Sequence, residues 1–282
     1  AGLVFGGFTD ANSALTESYD GTSWTEVADL NTARQAGAGC GTQTAALNFG
    51  GGFPPNYDNT ETWNGSAWTE VADLNSARRS SGGAGTNTAA LMFGGIISSN
   101  SALNESWNGT SWTEVGDINT ARRDVAGFGT QTAAIISGGN QAPPDSPAIT
   151  ESWNGSAWTE VGDLNTARQN LSGNGVATSA LAYGGFIPPG NTVTDITESW
   201  NNSAWTEVAD LNTGRVNLGS AGVSNTSNLA IGGDTYPGSN PDRKKANTES
   251  WNGSNWTEVN DLNNARFVLA GFGTQTSALA FG

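Results

Sequence analysis

Two charged residue types recur at fixed spacing along the 282 residues: Glu17, Glu61, Glu105, Glu151, Glu198 and Glu249, with Arg34, Arg78, Arg122, Arg168, Arg215 and Arg266. A ring of such groups could hold a charged ligand, or the two could pair, since a guanidinium matches a carboxylate through two parallel hydrogen bonds. Each Glu stands two residues before an aromatic on the same strand face, so it reads as buried and in need of a partner. Glu to Trp is 7 residues and Trp to Arg is 10 in every copy. The expectation is a structural ion pair within each copy, Glu61 with Arg78 for example, tying a third strand to the exit of a fourth.

Other candidate chemistry is thinner. Asp29 with Asn31, Asp73 with Asn75 and Asp261 with Asn263 offer oxygen ligands for Ca²⁺, but the element is short, and Asp and Asn are ordinary turn formers. Asn-Gly-Ser/Thr triplets match glycosylation acceptors, yet hairpin geometry already asks for Asn-Gly. Gly37 and Gly39 resemble a phosphate cradle without the strand-to-helix context it needs. Cys40 sits beside no base and reads as an inert thiol. The carboxylates outside the repeat pattern that could act as acid and base are Asp10, Asp58, Asp124, Asp145, Asp195, Asp234 and Asp242, with Asp145 and Asp242 the named catalytic candidates. There is no histidine, which excludes imidazole as base or as zinc or copper ligand. No catalytic residue, metal or cofactor is expected.

Composition narrows the partners. Lys and Arg number 11 against 26 Asp and Glu, so the formal charge is 11 − 26 = −15. Binding to nucleic-acid phosphates or anionic lipid needs clustered cations and is not expected. No run approaches the ~20 apolar residues of a membrane helix. The chain opens at Ala1, which reads as a processed or excerpted sequence. Acidity and Asn/Thr/Ser/Gly richness suggest an extracellular or virion-surface setting, such as a phage fibre or adhesin.

The elements that must position these residues come from repetition. Trp-Thr-Glu-Val begins at Trp24, Trp68, Trp112, Trp158, Trp205 and Trp256, in steps of 44, 44, 46, 47 and 51. Each copy predicts four strands: a Gly-rich one, an apolar one ending in Gly-Gly, and two Trp-bearing ones. Asn-Gly joins the last two and predicts a type I′ hairpin, which needs φ > 0 twice. Nothing has helical periodicity. Six such repeats predict an all-β fold, a six-bladed β-propeller of four-stranded antiparallel blades, as one domain over 1–282. The eleven tryptophans are expected between blades.

Gly50-Gly51, Glu61, Trp63, Trp68 and Arg78, with their equivalents, resemble the kelch repeat over essentially the whole chain. The resemblance implies a propeller with the Gly-rich strand innermost. Kelch-type enzymes include copper-radical sugar oxidases, which need histidine and a Tyr–Cys crosslink and are ruled out here, and sialic-acid epimerases.

Length variation is confined almost wholly to one place. The loop from the glycine pair to the Glu has 9, 9, 9, 11, 12 and 15 residues, and all nine prolines lie in these loops. In antiparallel blades they emerge on one face, and divergent loops on a rigid scaffold are how binding surfaces are built. The ligand-binding candidates are Phe53, Asn56, Tyr57, Asp58, Asn100, Asn140, Asp145, Phe186, Asn191, Asp195, Tyr236, Asp242, Arg243 and Lys244. The leading expectation is a non-catalytic recognition module for a protein or glycan. A structural subunit of a larger particle, filament or homo-oligomer comes second, and a carbohydrate-active enzyme using loop carboxylates third.

Second-strand sequences occur seven times, the first at 2–5 and the last at 278–281. The closing blade is expected to take its first strand from 267–273, its outer two from 16–28, and its second from 2–5. The carboxy-terminal copy would then pair elsewhere or mark a cut repeat array.

Overall fold

The computed structural model describes residues 2–20, 23–141, 147–189, 192–235, 243–269, 273–274 and 277–278. The chain begins with an antiparallel three-stranded sheet of β1 (Gly2–Phe5), β2 (Thr16–Tyr19) and β3 (Trp24–Val27). A four-stranded sheet follows, β4 (Ala38–Thr42), β5 (Ala45–Phe49), β6 (Thr60–Trp63) and β7 (Trp68–Val71), in that order. The same order recurs over 82–115, 126–160, 172–207 and 219–259. First strands touch in succession: β4, Gly82–Thr86, Ala126–Thr130, Ser172–Val176, Gly219–Ser224 and then Gly273–Thr274. The fold is an all-β propeller of five four-stranded blades with the Gly-rich strands at its axis, and the three-stranded sheet β1–β3 joins them.

Small residues are required there because the strands converge. A Cβ on Gly83 would stand 3.0 Å from the Gly39 carbonyl oxygen of the neighbouring blade. The paired glycines after each second strand answer a second demand. Gly50 and Gly51 have φ of +65° and +97°, and a Cβ on either would come within 2.6 Å of a linker carbonyl, Arg78 O or Gln35 O.

All eleven tryptophans are buried. The last residue of each second strand packs on the fourth-strand Trp of the next blade: Phe5 on Trp68 at 4.1 Å, Phe49 on Trp112 at 4.9 Å, Phe93 on Trp158 at 5.0 Å and Tyr183 on Trp256 at 4.9 Å between ring centroids. Ser137 is too small for this, and Phe128 fills in from its neighbouring inner strand, 6.5 Å from Trp205.

The hairpin expectation is corrected. Trp63 pairs with Trp68 across a four-residue loop in which Gly65 alone has positive φ, +96°. The Asn64 Oδ1 accepts from the N–H of Ser66 and of Ala67, at 2.9 and 3.0 Å, so the side chain closes the turn and only one left-handed residue is needed.

β1 lies beside β2 with Phe5 opposite Thr16, the register in which Phe49 faces Thr60. The amino-terminal copy therefore holds a second-strand place. The expected first strand at 267–273 starts too early: Phe267 bridges to Phe8 as part of the linker, residues 270–272 lie outside the described residues, and Gly273–Thr274 pairs with Ser277–Ala278. The rest of the carboxy-terminal copy, 279–282, also lies outside them.

Candidate functional site

The linker from each fourth strand crosses to the next blade, and its side chains build the seams. Asp29 Oδ1 turns back and accepts the Thr16 N–H of its own blade at 3.0 Å. Asn31 turns forward: its N–H and Nδ2 donate to Glu61 Oε2 at 2.7 and 2.9 Å, and Nδ2 also to Trp68 O at 3.1 Å. Asp and Asn of this element thus serve different blades and do not converge on a common point.

Arg34 then places a guanidinium nitrogen 2.7 Å from Glu61 Oε1 and donates to the carbonyls of Gly50 and Asn59 at 3.1 and 2.8 Å. This corrects the expected pairing. Each Arg binds the Glu of the following blade: Arg78 with Glu105, Arg122 with Glu151 (2.5 Å), Arg168 with Glu198 (2.9 Å), Arg215 with Glu249 (2.6 Å) and Arg266 with Glu17. The reason is the path of the linker, which carries Arg78 away from the blade of Glu61. These side chains are at most 3% exposed. Burial pulls the guanidinium pKa of Arg34, Arg122, Arg168, Arg215 and Arg266 below the ordinary value, and the paired Glu opposes it.

Two residues beyond each Arg the backbone turns left-handed, at Ala36, Ser80, Asp124, Asn170, Asn217 and Val268, with φ from +53° to +58°. These residues form a collar. The N–H of Ser80, Asp124, Asn170, Asn217 and Val268 each donates to the carbonyl of the preceding member at 2.9–3.0 Å. The collar surrounds the mouth of a central channel of about 380 Å³ lined by the Gly-rich strands. Cys40 lies in the channel wall with its Sγ on Thr86 O at 3.1 Å, and burial pushes its thiol pKa up.

Between Arg and collar stands a position that differs between copies: Gln35, Arg79, Arg123, Gln169, Val216 and Phe267. Here the linkers meet the variable loops. Arg79 donates to Asn56 Oδ1 and lies 5.0 Å over the Phe53 ring, which is 62% exposed. Asn56 Nδ2 donates to the carbonyls of Ile96 and Ile97. Arg123 donates to Asn100 Oδ1 at 2.7 Å and to Asp124 Oδ2 at 3.1 Å, Asn100 reaches Asn140 O at 2.8 Å, and Asn140 Nδ2 reaches Gln169 Oε1. Asn100, Arg123, Asn140 and Gln169 are thereby joined into one polar chain, which Asn56 and Arg79, with Phe53 stacked on the latter, meet through the Ile96–Asn100 backbone bridge, over three blades. Desolvation raises the Asp124 carboxyl above its ordinary range, opposed by Ser80, Arg123 and Arg79.

The other candidates lie apart from this chain, except Phe186, whose backbone bridges Gln169 at its end. Tyr57 and Asp58 offer backbone carbonyls to Arg78 N and Leu74 N, and Asp195 offers one to Leu211 N. Phe186 belongs to a small hairpin, Phe186–Ile187 with Thr192–Val193. Arg243 and Lys244 lie at the closing seam, Arg243 over Phe267 at 5.1 Å and Lys244 on Asp10 at 2.7 Å. Asp145, Asn191, Tyr236 and Asp242 lie outside the described residues. Sequence reasoning missed Arg79, Arg123 and Gln169, and named Asp124 only among the off-pattern carboxylates; the available signal for the three was a variable position directly after an unvarying Arg.

Charge is distributed unevenly. Of 11 basic residues, six are in the seams, and Arg79, Arg123, Arg243, Lys244 and Lys245 belong to linkers or loops of this one face, where Arg123 pairs with Asp124, Arg243 with Asp234 and Lys244 with Asp10. Glu26, Glu70, Glu114, Glu160, Glu207 and Glu258 are exposed on the outer strands. No family model matches the chain, and no curated protein matches it.

Proposed function

We propose that the chain is a kelch-type, non-catalytic recognition module that binds a protein or glycan at the loop face, around the channel mouth. The observation that carries this reading is the placement of Arg79 and Arg123 beside the channel mouth, each held by a loop asparagine, with the exposed Phe53 ring under Arg79. Asn56 and Asn100 hold Arg79 and Arg123 in fixed positions, which lowers the entropy lost when they engage a ligand. Phe53 adds exposed aromatic surface beside them. The recessed carboxyl at the mouth, Asp124, is engaged by Arg123 and Ser80, which suits an orienting role better than proton transfer.

A glycan array and affinity capture, run with the wild type and with Arg79→Ala/Arg123→Ala, test this reading. Retention by the wild type and its loss in the variant, with unchanged thermal stability, is the expected result. Retention that survives both substitutions places recognition elsewhere. Capture of the chain by itself, in place of a foreign ligand, favours a structural subunit.

A further inference from the structure

Four hairpin tips carry Asn before Gly: Asn64-Gly65, Asn108-Gly109, Asn154-Gly155 and Asn252-Gly253. They are exposed, on the face opposite the variable loops. Three features of each tip bear on the reactivity of the side-chain amide. The Asn Oδ1 is held by donors: the N–H and Oγ of Ser66 and the N–H of Ala67 for Asn64, and the equivalent three for Asn108 and Asn154, all at 2.8–3.0 Å. For Asn252 the donors are the N–H groups of Ser254 and Asn255, at 2.9 and 3.0 Å. The glycine N–H makes no hydrogen bond to any described residue. The Nδ2 of Asn64, Asn154 and Asn252 likewise has no partner among them, and that of Asn108 has a 3.4 Å contact with Ser111 Oγ.

We infer that these four tips are self-modifying sites at which asparagine converts to an acidic residue in the folded protein. The glycine nitrogen attacks the Asn Cγ, forming an N–Cγ bond. The Cγ–Nδ2 bond breaks and ammonia leaves with the proton lost from the glycine nitrogen. Water then opens the cyclic imide to aspartate or isoaspartate. Donors already aimed at Oδ1 stabilise the negative charge that develops there during attack, and glycine has no Cβ to crowd its nitrogen.

The fold itself shows that aspartate is tolerated. The equivalent tip of the first sheet carries Asp20, whose Oδ1 accepts the Ser23 N–H at 2.8 Å. Conversion at all four tips takes the charge from −15 to −15 − 4 = −19. The fifth asparagine tip, Asn201-Asn202, has the same donors on Asn201 but no glycine, and serves as an internal control.

The test is storage of the native protein at mildly alkaline and mildly acidic pH, followed by peptide-resolved mass spectrometry. The four Asn-Gly tips gain the amide-to-acid mass roughly tenfold faster than Asn201, because each presents an uncrowded glycine nitrogen where Asn201 meets that of Asn202, and faster in alkali, while the melting temperature holds. Amides at the four sites that last as long as that of Asn201 overturn the inference. So does conversion seen in denaturant but absent from the native protein.

Discussion

Arg266 and Glu17 lie 249 residues apart in the chain and form a buried ion pair. It is the same contact that Arg34 makes with Glu61, so the seam between the last and first sheets is built like the others. Asn263 repeats the second staple, with its Nδ2 2.7 Å from Glu17 and 2.9 Å from Trp24 O. The amino-terminal strand serves the next seam, between the first and second sheets, through Phe5, which packs on Trp68. Phe5→Ala is expected to cost about 3–5 kcal/mol, the usual range for a large core aromatic. Ile97→Ala, at a residue 43% exposed, should stay within about 0.5 kcal/mol. Urea unfolding of the two variants checks the contrast, and equal effects would remove β1 from the core.

A second prediction concerns the one seam with an odd residue. Trp68, Trp112, Trp205 and Trp256 donate through Nε1 to Thr16, Thr60, Thr150 and Thr197 of the preceding blade, at 3.0–3.1 Å. Trp158 faces Asn104 at the corresponding position, and both Trp158 Nε1 and Asn104 Oδ1 are buried without a partner. Asn104→Thr supplies the missing acceptor and removes the orphaned oxygen. A gain of about 1 kcal/mol is expected, the net worth of a typical hydrogen bond. A lower melting temperature would show that the Asn104 contact with Gly116 O matters more.

The Asp124 carboxyl is raised above its ordinary 3.8, chiefly by desolvation. The folded state therefore holds this proton more tightly than the unfolded state. Its favourable contribution is full below the ordinary carboxyl value and is lost as pH rises through the raised folded value. Asp124→Asn removes that loss, and Asn170 and Asn217 already occupy equivalent left-handed positions. The variant should melt higher than the wild type at neutral pH, with the gap closing in acid. A gap that widens in acid would mean that the Arg123 ion pair dominates.

Repetition made the blades legible. Strand identity, the axial place of the Gly-rich strand and the shared face of the loops all follow from local spacing that recurs six times. The partner of each Arg did not follow. Its distance to its own Glu is fixed by a rigid strand–hairpin–linker path, whereas its distance to the true partner runs 27, 27, 29, 30 and 34 residues as the intervening loop grows. Constant spacing marked a shared path, and the contact spanned the variable part. Arg79 and Arg123 were not legible for a related reason: they belong to the near-constant linker, and only the fold brings that linker against the variable loops. The Asn-Gly tips misled because the Asn side chain, and not a second left-handed residue, closes the turn.

Double-mutant cycles at Glu61 test the inter-blade architecture most directly. Arg34→Ala and Glu61→Ala each leave a buried charge alone and should cost about 3–5 kcal/mol. Combined, they should show a coupling of about 1–3 kcal/mol, while Glu61→Ala with Arg78→Ala should be additive within about 0.5 kcal/mol. Coupling of Glu61 to Arg78 with none to Arg34 would contradict seams built from consecutive blades.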